Sequence, residues 1–374
     1  MSAPDNHVDD KVYQFSAANV KAIRQEAQER LAALGLDDKN RYTCLQQHGF
    51  VLAKQFCSPA EYQAMREEMQ RLVDMDWDPA VSLDSFGTDD KANTARGDYF
   101  LESADKIHFF AEPTALETNA ATGHQVLKAE FDGTRRMQAL NKVGHALHLD
   151  KSTAFGQYFR SAKLAQLVKD ELKWQDPVVP QSMYIFKQAL QGGAVNSHQD
   201  STFLFTTPRQ TCLGLWLALD DSTVENGCLW VRPGSHKEAV RRQYCRNPDH
   251  FGSAAIEARS NEATGDTKQA PKFIMQQLDD EQTAVTWEGK LPDGGWSGLF
   301  QVGFVPIECQ AGDLVVFTGT LDHLSLPNFS DRARHTFQLH LVEGPDAGVT
   351  WSPSNWLQYP SGKPFVKMTT TSSK

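Results

Sequence analysis

Three side chains point to a shared chemistry in this chain: His198, Asp200 and His323. In His198-Gln199-Asp200 an imidazole and a carboxylate stand two residues apart. On a strand that spacing points both to one face, where they can grip the same ion. A further imidazole is available at His323, soon after the apolar run Asp313–Phe317. Two histidines and one carboxylate on one side of a metal leave three positions open opposite. That is the donor set of non-haem Fe(II) oxygenases, in which a bidentate cosubstrate and dioxygen bind together. A bare His-x-Asp is common by chance, so its surroundings have to carry the reading. Eleven residues after His323 comes Arg334, which opens an alternation with Thr336, Gln338 and His340 on one face and Phe337, Leu339 and Leu341 on the other. An arginine followed two residues later by a hydroxyl suits a dicarboxylate: the guanidinium takes the distal carboxylate bidentately and the hydroxyl serves a remaining lone pair.

Other candidate groups read as structural. His145 and His148 stand three apart on an expected helix with no further ligand in register, and His236 in Pro233-Gly-Ser-His is expected to fix a turn. The six cysteines are scattered without a Cys-x-x-Cys pair and read as reduced core thiols. No Gly-x-Ser-x-Gly elbow, P-loop or dinucleotide fingerprint occurs, which removes the common hydrolase, kinase and dehydrogenase classes.

The elements that must position these groups fall into two halves. The first reads as mostly helical. Val20, Ile23, Ala27, Leu31 and Leu34 share a helix face that Gly35 ends, and Ser58-Pro-Ala-Glu61 is a capping box leading into Tyr62, Met65, Met69 and Leu72. Residues 74–94 read as loop, and two more helices are expected near 135–149 and 161–172. From Gln181 the period becomes that of strands, at 183–187, 202–206, 213–219, 228–231, 313–317 and 334–341. Consecutive strands without helices between them make antiparallel sheet, and at this length a two-sheet jelly roll is the economical arrangement, with the helices covering its outside. A polar segment at 245–298 is too long for an ordinary turn. With Trp287, Trp296 and a cluster of glycines, it is expected to cover the site.

A set of motifs then resembles the phytanoyl-CoA dioxygenase family of Fe(II)/2-oxoglutarate oxygenases. The set comprises Asp105-Lys-Ile-His-Phe-Phe, Asn141-Lys-Val-Gly-His-Ala-Leu-His, His198-Gln-Asp, Glu225-Asn-Gly-Cys-Leu, Pro233-Gly-Ser-His, Gly312-Asp, His323-Leu-Ser and Asn328-Phe-Ser-Asp-Arg-Ala-Arg334. The resemblance implies a double-stranded β-helix (jelly roll, cupin-like) core packed by N-terminal helices. It implies iron ligands at His198, Asp200 and His323 and a 2-oxoglutarate arginine at Arg334. It extends the cosubstrate shell to Lys106, Met183, Trp216 and Ser325. It further implies a hydroxylase that uses Fe(II), 2-oxoglutarate and O2 on an unactivated C–H bond of a small, lipid-like substrate, releasing succinate and carbon dioxide. The alternative is an unproductive iron and 2-oxoglutarate sensor on the same fold. The expected organisation is a helical extension at 1–40, one dioxygenase domain at 41–367 with its barrel at about 181–343, and a tail at 368–374.

Composition bounds the partners. The 374 residues are 40% hydrophobic and 22% charged, which fits a large buried core and excludes collagen, coiled coil and disorder. No apolar run reaches the ~18 residues of a membrane span, and Met1–Asp10 is polar where a secretory leader would be basic and then apolar. The chain closes on Thr-Ser-Ser-Lys374 without a peroxisomal Ser-Lys-Leu address, so a cytoplasmic protein is expected. A net charge of -10 without a basic stripe argues against nucleic acid and leaves a small molecule as the expected partner. Oligomeric state has no signature here.

Overall fold

The computed structural model describes residues 15–252, 270–278 and 285–369. In chain order, the strands of its two main sheets are β1 (Phe50–Ala53), β2 (Asp84–Ser85), β3 (Ile107–Ala111), β4 (Leu140–His145), β5 (Pro177–Ile185), β6 (Val195–His198) and β7 (Leu213–Ala218). They continue with β8 (Leu229–Val231), β9 (Val305–Ile307), β10 (Leu314–Thr318), β11 (His323–Ser325), β12 (Thr336–Glu343) and β13 (Val366–Lys367). The major sheet runs β1-β10-β7-β12-β5-β4-β3-β2 with β13 beside β5, and the minor sheet runs β9-β8-β11-β6. Among the described residues only the β2–β3 pairing is parallel.

Period-two alternation builds this double-stranded β-helix, because each strand sends one row of side chains between the sheets and the other outward. On β7 the outward row is Leu213, Leu215 and Leu217, and it joins Phe337, Leu339 and Leu341 of β12 in an outer core. Helices α1 (Ala17–Leu34), α2 (Arg41–His48) and α3 (Pro59–Asp76) open the chain. Met65, Met69 and Leu72 of α3 cover the outer core together with Phe155 and Phe159. The capping box holds, with the Ser58 backbone N–H donating to Glu61 Oε2 at 2.8 Å, a cap worth about 1 kcal/mol. The inward row of β7, Trp216 and Ala218, packs with Val315 and Phe317 against Leu229, Val231 and Ile307 of the minor sheet. Outside the minor sheet, Trp230 and Leu324 pack on Ile23 and Ala27 of α1 and on Leu299 and Phe300. All six cysteines are buried and unpaired by disulfides.

Several expectations change. The first half is not mostly helical, since it contributes four strands to the major sheet. The helix expected near 135–149 is a 3-10 turn, Gly133–Ala139, followed by β4. Leu140, Val143 and Leu147 have helical spacing, yet pairing with β3 and β5 on both sides overrides it. Within 74–94, a short strand and the helix Asp90–Thr94, capped by Asp89, replace loop. The strand expected at 202–206 is a 3-10 turn, Asp200–Thr202, and a two-residue strand, Thr206–Thr207. Helix at 161–172 is present, its second half π-helical. In the 245–298 segment Phe273–Gln277 pairs with Arg242–Arg246 as a hairpin, and 253–269 and 279–284 lie outside the described residues.

Candidate metal and cosubstrate site

The ligand atoms of His198, Asp200 and His323 all lie within 4.8 Å of one another. Neighbouring strands bring the histidines together: β6 and β11 pair with His198 directly opposite His323, and the two rings are 4.1 Å apart. Asp200 does not sit on the strand, as the spacing argument assumed. β6 ends at His198, and Asp200 opens the 3-10 turn that swings its carboxylate back to 3.4 Å from His198 Nε2 and 3.6 Å from His323 Nε2. Gly214 on β7 makes room for it, since a Cβ there would lie 2.6 Å from Phe317 and 3.2 Å from Asp200 Oδ2.

The tautomers suit a metal. His198 Nδ1 lies 2.8 Å from the Asn196 carbonyl and His323 Nδ1 lies 3.0 Å from the Leu321 carbonyl. A carbonyl can only accept, so each Nδ1 carries its proton and each Nε2 turns a lone pair toward the cluster. Asp200 Oδ2 is held by His340 Nε2 at 3.0 Å, and the Gln181 amide donates to His340 Nδ1 at 3.3 Å, which leaves the proton on the nitrogen facing Asp200. Burial pushes the Asp200 carboxyl upward, but His340, His323 and the hydrogen bonds from His198 and His340 outweigh it and hold the group well below the usual carboxylate range. Two neutral imidazole nitrogens and one carboxylate oxygen, buried and already oriented, fit Fe(II).

Beside the cluster opens a cavity of about 1310 Å³, and Arg334, Lys187, Ser325, Met183, Trp216 and Gln338 are among its lining residues. Arg334 is 2% exposed. It donates to the Gly227 carbonyl at 2.7 Å and rests 5.2 Å from the Trp216 ring centre, while its Nε and the buried Thr336 Oγ1 have no partner. Lys187 Nζ donates to Ser325 Oγ at 2.9 Å and to the Gly193 carbonyl at 2.7 Å. Among the described residues no carboxylate lies within 4 Å of either cation. Burial brings the Arg334 guanidinium down to about 10, and burial followed by Arg334 holds Lys187 well below its ordinary value. A buried guanidinium with an orphaned Nε beside a metal cluster fits a dianionic cosubstrate, which would complete both.

Of the sequence-derived shell, Met183, Trp216 and Ser325 line this cavity and Lys106 does not. The Lys106 side chain is 54% exposed and its ammonium is 3.3 Å from Glu102. It precedes β3 at the sheet's outer end, and the cavity instead takes Lys142 and Lys187. Both were within reach of sequence reasoning. Lys187 continues the face of Met183 and Ile185 by period two, and Lys142 stands in the Asn141-Lys-Val-Gly-His motif, where a helical reading hid it.

The segment expected to cover the site does border it. Gly289 through Gly295 lines the cavity, and backbone bonds Gly289 N–H to Ser197 O at 2.9 Å and Ser197 N–H to Lys290 O at 3.2 Å stitch it to β6. Glu288 takes Arg241 Nε at 2.6 Å, and Arg241 also pairs with fully buried Asp322, the neighbour of His323. Among the described residues no helix is long and apolar enough to cross a membrane.

The family model for phytanoyl-CoA dioxygenase (PhyH) matches residues 45–336. Phytanoyl-CoA dioxygenase domain-containing protein 1 of Mus musculus is 36% identical over 324 residues, 86% of this chain and 94% of its own length. Phytanoyl-CoA dioxygenase of Arabidopsis thaliana is 35% identical over 310 residues, covering 83% and 89%. Among solved structures, the epimerase SnoN in complex with Fe3+, alpha ketoglutarate and nogalamycin RO is similar at a TM-score of 0.49 and 15% identity, covering 89% of this chain and 92% of that one. The chain therefore belongs to the phytanoyl-CoA dioxygenase family of Fe(II)/2-oxoglutarate-dependent oxygenases.

Proposed function

We propose that this protein hydroxylates an unactivated C–H bond of a small, lipid-like organic molecule, consuming one dioxygen and one 2-oxoglutarate and releasing succinate and carbon dioxide. Fe(II) held by His198, Asp200 and His323 would supply dioxygen activation coupled to decarboxylation of the cosubstrate. The rest is positioning by the chain. Asp200 provides the one anionic protein ligand, and His340 fixes which of its oxygens is free. Arg334 receives the distal carboxylate, with Ser325 Oγ beside it and held by Lys187, and Trp216 and Met183 as walls. No side-chain general base is needed, because the buried pocket has only to orient its guests and exclude water.

The observation that carries the reading is the pair of Nδ1–H···carbonyl bonds, which aims both imidazoles at Asp200 beside a cavity whose Arg334 has, among the described residues, no carboxylate within 4 Å. The test is aerobic incubation with Fe(II), 2-oxoglutarate and a library of small lipids, with succinate and hydroxylated products read by mass spectrometry. Succinate formed in step with a hydroxylated product is expected. Cosubstrate that binds and is never consumed with any compound would instead make the protein a sensor on this fold.

A further inference from the structure

A second group of cations faces the same cavity away from the Arg334 end. The guanidinium carbon of Arg96 is clamped 4.1 Å from the ring centre of Phe86 and 4.2 Å from that of Phe100, and Lys142 Nζ is 3.6 Å from the Phe86 centre. Lys142 is fully buried, and Arg96 is partly exposed, as a group that meets a ligand must be. Their acceptors are neutral. Arg96 donates to the Gly87 carbonyl at 2.9 Å and to Asn93 Oδ1 at 2.7 Å, and Lys142 donates to His145 Nε2 at 3.0 Å. Arg96 Nε has no partner. Among the described residues no carboxylate lies within 4 Å of either group, and Asp84, with Asp89 for Arg96, acts from farther off. Burial and then Arg96 hold Lys142 well below its ordinary value, and burial and then Arg334 do the same to Lys187.

An aromatic wall joins this recess to the metal cluster. Phe203 lies 5.9 Å from the His198 ring and Tyr244 lies 5.5 Å from Phe203, both facing the cavity. The Tyr244 hydroxyl donates at 2.7 Å to the backbone of Asn93, the residue whose side chain holds Arg96. Behind Tyr244 and Phe100 packs Phe273 at 5.3 and 5.9 Å, contributed by the 245–298 segment. Uncompensated cations are costly in a fold, and aromatic clamps keep a guanidinium fork preorganised for a planar anion.

We propose that this recess takes the terminal carboxylate of the substrate, with Arg96 as the receiving fork, Lys142 as the neighbouring donor and Phe203 and Tyr244 along the chain that leads to the iron. The proposal rests on the hydroxylase reading and narrows its substrate to free carboxylic acids with an apolar body. A thioester carrying several phosphates would need more donors than Arg96 and Lys142 supply, and Arg242, which also lines the cavity, is already paired with Asp90 and Glu288.

Protein loaded anaerobically with Fe(II) and 2-oxoglutarate is titrated by calorimetry with decanoate, decanol, decyl phosphate and decanoyl-CoA. Decanoate should bind about tenfold or more tightly than decanol, and more tightly than the phosphate or the thioester. Arg96→Gln should remove most of that advantage, and Arg96→Lys should restore part of it. Equal affinity for decanoate and decanol in the wild type overturns the proposal without any variant. Tighter binding of decyl phosphate or decanoyl-CoA overturns the carboxylate assignment, and loss of 2-oxoglutarate binding in Arg96→Gln moves Arg96 to the cosubstrate. If the wild type takes up neither iron nor 2-oxoglutarate, the hydroxylase reading fails instead, and the decanoate to decanol ratio on the unloaded chain still decides the recess.

Discussion

Two histidine pairs pack against this cavity's scaffold, and only one faces a shared carboxylate among the described residues. His198 and His323 anchor Nδ1 on backbone carbonyls and turn Nε2 toward a shared carboxylate. His145 and His148 are more deeply buried than His198, but among the described residues neither turns a ring nitrogen toward a carboxylate, and His148 Nε2 has no hydrogen-bond partner. His145 Nδ1 donates to Ser103 Oγ at 2.8 Å and its Nε2 accepts from Lys142, while His148 Nδ1 meets Ser182 Oγ at 2.9 Å. Among the described residues neither has a carboxylate within 4 Å. Burial alone therefore does not make a ligand. What separates the pairs is where the second ring nitrogen points and whether an anion waits there.

The largest expected effect breaks the first pair's advantage. Asp200→Ala should abolish turnover and iron retention, since among the described residues no other carboxylate lies within 4 Å of His198 or His323, whereas His148→Gln should keep iron at the wild-type level by metal analysis. Wild-type iron in Asp200→Ala would mean the ligand set is misassigned. Next comes the cosubstrate end. Arg334→Ala leaves a carboxylate unpaired in a largely dry pocket, costing about 2–5 kcal/mol, so the 2-oxoglutarate Kd should rise about tenfold or more with iron still bound. An unchanged Kd would move the clamp to Lys187 or Lys142.

A smaller change sharpens the comparison through the groups behind the ligands. Removing the His340 imidazole frees Asp200 Oδ2 from its fixed donor, and iron affinity should fall by about tenfold while the fold persists. Intact affinity in His340→Phe would show that the first ring of ligands orients itself. The second pair has its own signature, in stability. Burial pushes His148 down to about 3 from the ordinary 6.5 and holds His145 well below its ordinary value. Such a group is neutral in the fold and binds an extra proton once unfolded, so its contribution is complete above 6.5 and is lost as pH falls toward about 3. Melting followed from pH 7 to 4 should show Tm falling, and the drop should be shallower in His148→Gln. An identical slope in the variant would remove His148 from the cause.

The sequence carried the site better than its frame. The alternation from Arg334 to His340 names one inward face, and Gln338 and His340 line the cavity while Phe337, Leu339 and Leu341 join the outer core. Apolar and polar residues separate cleanly there because one side of β12 meets helices and the other meets guests. Period-two logic placed Asp200 on the right side for an incomplete reason, since a turn rather than a strand delivers it. In β4 the periods conflict: apolar spacing says helix, and only pairing with distant β3 and β5 decides for strand. That error concealed Lys142 and left Lys106, which a local motif favours and tertiary structure places in solvent. The second cationic recess was illegible for the same reason, because Arg96, Lys142 and Tyr244 meet only in the fold.

The most direct test is an anaerobic titration of the purified protein with Fe(II) and 2-oxoglutarate, followed by the visible absorption of the iron–cosubstrate chelate. A band that appears in the wild type and in His148→Gln, and is absent in Asp200→Ala, is the expected result. A band that survives in Asp200→Ala, or never forms in the wild type, would contradict the assignment of His198, Asp200 and His323 as the iron site.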